Sequence, residues 1–329
     1  MLSHRERIEK CLSGGNLDRV PIALWRHFPV DDQTPGGLAS ATLSFQRNFD
    51  FDIVKVSPSS SFCLKEWGIE DEWRGAAEGT REYTKRVINH PDDWARLPIL
   101  NPDEGFLDQQ ISCLRLLYNE LGPATPMIQT IFNPLSQAKN LVGKENLLVH
   151  MRRYPDALHA GLKTITESTR RFIEEIKLTG IAGIFYAVQH AQHSLLSEEE
   201  YTTFGVNYDL KVLESAQEMW LNMLHIHGIE IMFNSFIDYP VNVINWHDRE
   251  TYPDLNQAQD LYSGVICGGL RRETTLVLST PEEVTAEAEQ AITATSGKRF
   301  ILGTGCVMPI TAPYGNIIAA RSSIEPSRF

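Results

Sequence analysis

Pro155-Asp-Ala-Leu-His-Ala-Gly-Leu-Lys-Thr-Ile-Thr-Glu-Ser-Thr-Arg-Arg-Phe-Ile-Glu-Glu-Ile-Lys-Leu-Thr-Gly180 is followed at once by Ile181-Ala-Gly-Ile-Phe-Tyr-Ala-Val188. In the first stretch Leu158, Leu162, Ile165, Phe172, Ile173 and Ile176 recur with helical period on one face, and Gly180 supplies a stop. The second is a short run, apolar on both faces, of the kind that forms a strand buried between layers of helix. The same unit recurs along the chain. Strand-like runs lie at 20–25, 52–57, 126–132, 181–188, 220–227, 241–246, 264–270 and 299–305, separated by stretches with helical signals. Two of those helices open on capping boxes, Ser197-Glu-Glu-Glu200 and Thr280-Pro-Glu-Glu283. Eight strand-helix units in about 250 residues plus insertions predict a TIM (β/α)8 barrel. No GxGxxG follows any strand, which disfavours an open dinucleotide-binding sheet.

The chain of 329 residues is thus expected to form one domain over 1–329, with residues 58–106 as a rim insertion between strands two and three. A hairpin is expected near 80–89, and 322–329 reads as a frayed tail. The balance of 42 acidic against 30 basic side chains, a net charge of -12, argues against nucleic acid or an anionic membrane as partner. No run approaches the roughly 20 apolar residues of a membrane helix, and the charged N-terminal segment 1–10 lacks the apolar core of a signal peptide. A cytoplasmic protein is expected. Its five cysteines, odd in number and without framework spacing, read as reduced thiols.

In a barrel of this kind the ligand site is built at the C-terminal ends of the strands. Of ten histidines, six (His27, His190, His193, His225, His227 and His247) fall at or just after a strand end. Trp25, Arg26, Lys55, Gln189, Trp246, Arg249, Arg271, Arg272 and Cys306 occupy the same positions. Taken singly, histidines and arginines there cap loops or form ion pairs; as a group they point to a site. His225 and His227 are residues i and i+2 of strand five, so they project from one face roughly 6.6 Å apart. Cys306 ends strand eight after Gly303-Thr-Gly305 and can reach across the mouth. Two imidazoles and a thiolate with a fourth position open match a catalytic zinc set. A His-x-His pair also occurs in hydrogen-bonded strand ends, and a cysteine after glycine is commonly a small buried hydrophobe, so spacing alone leaves both readings open.

Further landmarks are Asp18-Arg-Val-Pro21, Pro126-Met-Ile-Gln-Thr-Ile-Phe-Asn-Pro134, Gly183-Ile-Phe185, His225-Ile-His-Gly228, Gly268-Gly269, Thr280-Pro-Glu-Glu-Val284 and Gly305-Cys-Val-Met-Pro-Ile-Thr-Ala-Pro313. Through them the chain resembles the uroporphyrinogen decarboxylase superfamily over nearly its whole length. That superfamily includes true decarboxylases and zinc-dependent methyltransferases acting on corrinoid proteins and thiols. The decarboxylases resemble this chain less closely. They carry an Arg-rich segment where this chain reads Trp25-Arg-His-Phe-Pro29, an Asp at the end of strand two where it reads Val54-Lys-Val-Ser57, and a His in place of Cys306. The methyltransferase branch is similar at His225 and Cys306 and has a thiolate where this chain has His227. Replacing that thiolate by imidazole raises the charge of the set by one and makes a bound metal more Lewis-acidic.

The resemblance therefore implies a methyltransferase with zinc on His225, His227 and Cys306, moving a methyl group between a partner corrinoid protein and a small thiol or related acceptor. Arg26, His27, Gln189, His190 and Arg271 are the expected catalytic residues. Trp25, Lys55, Trp246, His247, Arg249 and Arg272 are the expected contacts to a small anionic substrate. A homodimer is implied as well. The alternatives are a metal-free uroporphyrinogen-type decarboxylase, anchored by Arg26, Arg249, Arg271 and Arg272, and a barrel that only binds a corrinoid protein.

Overall fold

The expected long helix forms over Pro155–Lys177, with Pro155 in its first turn and its apolar stripe buried. Gly161 sits in that stripe because a Cβ there would meet the Trp94 ring at 2.3 Å, so the rim insertion packs directly onto this helix. The computed structural model describes residues 1–325. The helix Tyr314–Ser322 takes up the start of the expected tail, and 326–329 lie outside the described residues.

Eight parallel strands follow the expected order: β1 (Ile22–Ala23), β2 (Val54–Val56), β3 (Met127–Phe132), β4 (Gly183–Val188), β5 (Met223–Ile226), β6 (Val243–Trp246), β7 (Val265–Leu270) and β8 (Phe300–Thr304). Each pairs in parallel with its neighbour in sequence from β2 round to β8, and β8 pairs with β1, giving a nearly closed TIM barrel wrapped in helices. The remaining seam, between β1 and β2, is bridged by the Asp52 N–H donating to the Ile22 carbonyl at 2.8 Å. The buried Asp52 carboxylate accepts from the Ile22 N–H at 2.9 Å, Arg7 at 2.6 Å and Arg19 at 2.7 Å, and lies 2.9 Å from His4 Nδ1. Asp18 in turn binds Arg7 at 2.8 Å, so Asp18-Arg-Val-Pro21 is the clasp of the barrel.

The capping boxes at Ser197 and Thr280 both form. In the insertion the hairpin pairs Glu70–Glu72 with Glu82–Lys85, so its first strand lies ten residues before the expected stretch. Alternating charge sets that pairing: Lys85 meets Glu70 at 2.8 Å, while Val87 and Ile88 leave the hairpin to donate to the Leu141 carbonyl. All five cysteines are free. Among the described residues no helix is long and apolar enough to cross a membrane.

Candidate metal and substrate site

His225 points into the barrel from β5, and β6 places Asn245 beside it in register. Both N–H groups of the Asn245 amide are committed, to the carbonyls of Cys267 at 2.9 Å and Thr304 at 3.0 Å. Its oxygen therefore faces His225 Nδ1, 2.7 Å away, and can only accept. This fixes the tautomer: the proton is on Nδ1 and the Nε2 lone pair faces the cavity.

His227 follows β5 and its backbone N–H donates to the Val188 carbonyl at 2.8 Å. His247 follows β6, with Nδ1 3.0 Å from the Glu250 carboxylate and Nε2 3.4 Å from His227 Nδ1. Cys306 reaches the pair because Gly305 lets the end of β8 lie against β6. A Cβ on Gly305 would stand 2.7 Å from His247 Cα and 2.8 Å from the Trp246 carbonyl oxygen. The Cys306 sulfur lies 3.7 Å from His227 Nδ1. One ligand atom from each of His225, His227, His247 and Cys306 falls within a mutual 4.8 Å.

The electrostatics single out one thiol. Burial alone would push Cys306 up, but the close approach of the His225, His227 and His247 imidazoles outweighs it and holds the thiol well below its usual range. At Cys11, Cys63, Cys113 and Cys267 burial goes largely unopposed and the thiols are raised. The same cluster acts on the rings: burial lowers His225, whereas His247 is raised by Cys306 and Glu250 in spite of its burial.

Beside the cluster is a cavity of about 210 Å³. Trp25, His27, Lys55, Gln189, His225, His227 and Cys306 line it, together with Phe185 from β4. The rim insertion adds Glu78, Thr80, Arg81 and Tyr83 as one wall. Its hairpin turn is held down where the Ile310 N–H donates to the Ala77 carbonyl at 2.7 Å, and Gly79 presses so close to His27 that a Cβ would stand 2.6 Å from the histidine's own. Burial, with Lys55 nearby, drives His27 down to about 4, a neutral ring at physiological pH. Arg272 stands behind this wall, paired with Glu78 and, at 2.7 Å, with Glu273.

Five more expected residues, besides Arg272, lie outside the cavity lining. Arg26 turns to the carbonyls of His27 and Ile310, both at 3.3 Å, and lies over the Phe28 ring. His190 is buried outside the cavity wall, its ring driven down to about 3 by burial. Trp246 is fully buried, its indole N–H donating to the Pro253 carbonyl at 2.9 Å. Arg249 runs outward to the Gly269 carbonyl at 2.9 Å, and Arg271 is held by Glu287 on the following helix. In each case a nearby backbone carbonyl, an acid or the core takes the side chain that the strand-end position had offered to the ligand.

Sequence reasoning missed Asn245, Lys139 and Arg81. Asn245 carried a signal, a lone amide inside the apolar run Val243–Trp246. Lys139 is the one charged residue of the helix Pro134–Val142 that follows β3.

The profile of the uroporphyrinogen decarboxylase (URO-D) family matches residues 3–325. The chain belongs to this family. It is 23% identical over 95% of both chains to a methylcobamide:CoM methyltransferase, MtbA, of Methanosarcina acetivorans, and 22% identical with the same coverage to MtbA of Methanosarcina mazei. Among solved structures, a methyltransferase from Methanosarcina mazei superposes with a TM-score of 0.86 over 98% of both chains at 16% identity. A B12-independent methionine synthase from Shewanella superposes at 0.59 over 92% of both at 12% identity. At these identities the two structures are likenesses of fold.

Proposed function

We propose that this URO-D family member is a metal-dependent methyltransferase, holding one zinc ion on His225, His227 and Cys306, with His247 beside the set and a position left for a substrate thiol, and moving a methyl group between a partner corrinoid protein and that small thiol. The observation that carries this reading is the convergence of four donor atoms within 4.8 Å at the cavity base. Three imidazole nitrogens and a thiolate, with no carboxylate oxygen, are a borderline-soft set that suits zinc over magnesium or calcium. Asn245 and Glu250 orient two of the rings, as outer partners of metal-bound histidines do. A bound zinc would stabilise a thiolate at neutral pH. The relatives named methylcobamide:CoM methyltransferase support the reaction class.

The protein's own groups then have definable roles. Trp25 and Phe185, in edge-on contact at 5.3 Å, make an apolar wall that keeps water from a thiolate. His27, held neutral, carries no charge that would compete for the anion. The about 210 Å³ cavity is smaller than the ~300–1,000 Å³ typical of sites for drug-sized ligands, which favours a small acceptor over a four-ring macrocycle. The arginine anchors that a polycarboxylate decarboxylase would need are also placed otherwise: Arg26, Arg249 and Arg271 are bonded outside the cavity.

The test is metal analysis of the purified protein beside His225→Ala and Cys306→Ser. About one zinc per chain is expected in the parent and a loss in each variant. Full zinc retention in both variants overturns the ligation. Methyl transfer from a methylated corrinoid protein to a thiol then decides between an enzyme and a barrel that only binds.

A further inference from the structure

Cys306, His225 and His247 are all buried, so the candidate centre is covered. On the methyl-transfer reading the methyl group arrives on a corrinoid carried by a second protein, and a four-ring macrocycle does not enter a cavity of about 210 Å³. Part of the cover has to move. The tip of the rim hairpin, residues 74–80, has the construction of a moving part.

The tip lies on the segment that follows Cys306 and on His27. It is seated by the Ile310 N–H donating to the Ala77 carbonyl at 2.7 Å, by the ion pair of Glu78 with Arg272, and by Gly79, where a Cβ would stand 2.6 Å from His27 Cβ and 3.3 Å from Ile310 Cγ2. Between Ile69 and Tyr83 no side chain joins the apolar core, so no buried hydrophobe pins the tip. The chain beyond it is fastened more firmly. Arg81 holds Asp32 at 2.9 Å, the Tyr83 hydroxyl lies 3.1 Å from that of Ser60, and the Val87 and Ile88 N–H groups both donate to the Leu141 carbonyl at 3.2 Å. Gly75 and Gly79, at φ 87° and 76°, bound the tip in a conformation that glycine adopts freely. A Cβ on Gly75 would meet nothing within 4 Å, so that end has room to turn.

The ion pair is arranged for exchange of partners. Arg272 is 11% exposed, and a cation so withdrawn from water is costly to strand. Its guanidinium, however, holds two acids at once: Glu78 on the tip through Nη1, and its own neighbour Glu273 through Nη2 at 2.7 Å. When Glu78 leaves, Arg272 keeps Glu273. The tip can therefore lift without leaving a buried charge unpaired, and one arginine with two alternative sets of partners is a two-state element.

We propose that residues 74–80 form a lid over the candidate centre, latched by Glu78 on Arg272 and released as Arg272 falls back on Glu273. This rests on the methyl-transfer reading for what passes through the opening; the opening itself does not depend on it. Lids of this kind are hinged on a few small residues and set the rate at which a covered site meets its substrate.

Hydrogen exchange of the protein as purified, read amide by amide, tests the latch. The Ile310 amide reports on the seat of the tip, since its bond to Ala77 breaks when the tip lifts. Glu78→Gln should speed Ile310 exchange by ~3–10-fold, as loss of a partly exposed ion pair would. Glu273→Gln, which removes the acid that Arg272 falls back on, should slow it by a similar factor, while the Val87 and Ile88 amides keep their rates in both variants. Gly79→Ala, which wedges the tip away from His27, should speed Ile310 as well. A plain anchoring contact at Glu78 would give the first effect without the second. Unchanged Ile310 exchange in Glu78→Gln, unchanged or faster exchange in Glu273→Gln, or equal acceleration at Val87 and Ile88 overturns the proposal. The expected opposite shifts in protein that transfers no methyl group uphold the lid and overturn the methyl-transfer reading. Methyl transfer by protein whose Ile310 amide ignores both substitutions does the reverse.

Discussion

The Asn245 side-chain oxygen stands 2.7 Å from His225 Nδ1, and both of its amide N–H groups are spent on the carbonyls of Cys267 and Thr304. One buried amide thus ties β5, β6, β7 and β8 together and dictates which nitrogen of His225 faces the cavity. Asn245→Ala frees the ring to rotate or change tautomer. Zinc affinity, measured by competition with a chromophoric chelator, should fall ~10–100-fold. Stability should drop by ~1–3 kcal/mol, because two buried carbonyls lose their donor. Unchanged zinc affinity in a folded Asn245→Ala protein would show that this orientation does not matter.

Gly305 is a steric requirement of the cluster. A methyl group there meets His247 Cα at 2.7 Å and the Trp246 oxygen at 2.8 Å, both backbone and unable to swing away. Gly305→Ala should push the end of β8 off β6, costing ~1–3 kcal/mol by denaturant unfolding and lowering metal content. A variant with parental stability and full zinc would contradict this steric role.

Acid sensitivity should originate at the clasp between β1 and β2. Against strong desolvation, His4, Arg19 and the Ile22 N–H hold the Asp52 carboxyl down at about 2. The carboxyl is more acidic in the folded than in the unfolded chain, where it titrates at about 3.9, so its contribution is complete above that value and is lost as pH falls from about 4 to 2. Asp52→Asn should cost ~3–5 kcal/mol at neutral pH by leaving Arg7 and Arg19 short of a buried counter-ion. It should also flatten the dependence of stability on pH between 4 and 2, as read by urea melts at fixed pH. A parallel acid limb in parent and variant would remove Asp52 as the cause.

A second buried carboxylate supports the wall of the site at a distance. Asp209 accepts from the hydroxyls of Tyr186 at 2.8 Å, Tyr201 at 2.6 Å and Tyr239 at 3.1 Å, and from Asn133 at 3.0 Å. Asn133 also binds Ser136, whose hydroxyl accepts the Gln189 N–H at 3.1 Å. Single Tyr→Phe changes should each cost ~0.5–1.5 kcal/mol. Asp209→Ala, which strands every donor at once, should cost more than any of them in thermal or chemical unfolding. Equal effects for Tyr239→Phe and Asp209→Ala would mean that the carboxylate is not the hub.

Much of this architecture is legible in the amino-acid order alone. Eight buried runs with helical stretches between them define a closed barrel, and the positions of His225, His227 and Cys306 near strand ends place them at its mouth. What cannot be read there is where a long charged side chain turns. Arg249 and Arg271 stand at strand ends as expected, but a carbonyl on β7 and Glu287 on the next helix capture them, and nothing local in the sequence records those partners. Trp246 and His247 carried a signal that was readable. Asn245 faces the interior, so alternation along β6 sends Trp246 outward and returns His247 to the cluster. Lys139 was invisible because it comes from a helix, and only the folded position of Pro134–Val142 brings it to Gln189.

The hairpin wall over the cavity divides the labour of the site in a way that matters for divergence. The four candidate metal donors lie on or next to barrel strands, whereas Glu78, Thr80, Arg81 and Tyr83 belong to a single excursion of the chain with its own short strands. Substitution within that excursion can reshape this wall of the cavity while the four candidate donors on the strands keep their places. The shape of the cavity can therefore evolve within one contiguous segment, provided the pairs Arg81–Asp32 and Glu78–Arg272 that anchor it to the barrel are kept.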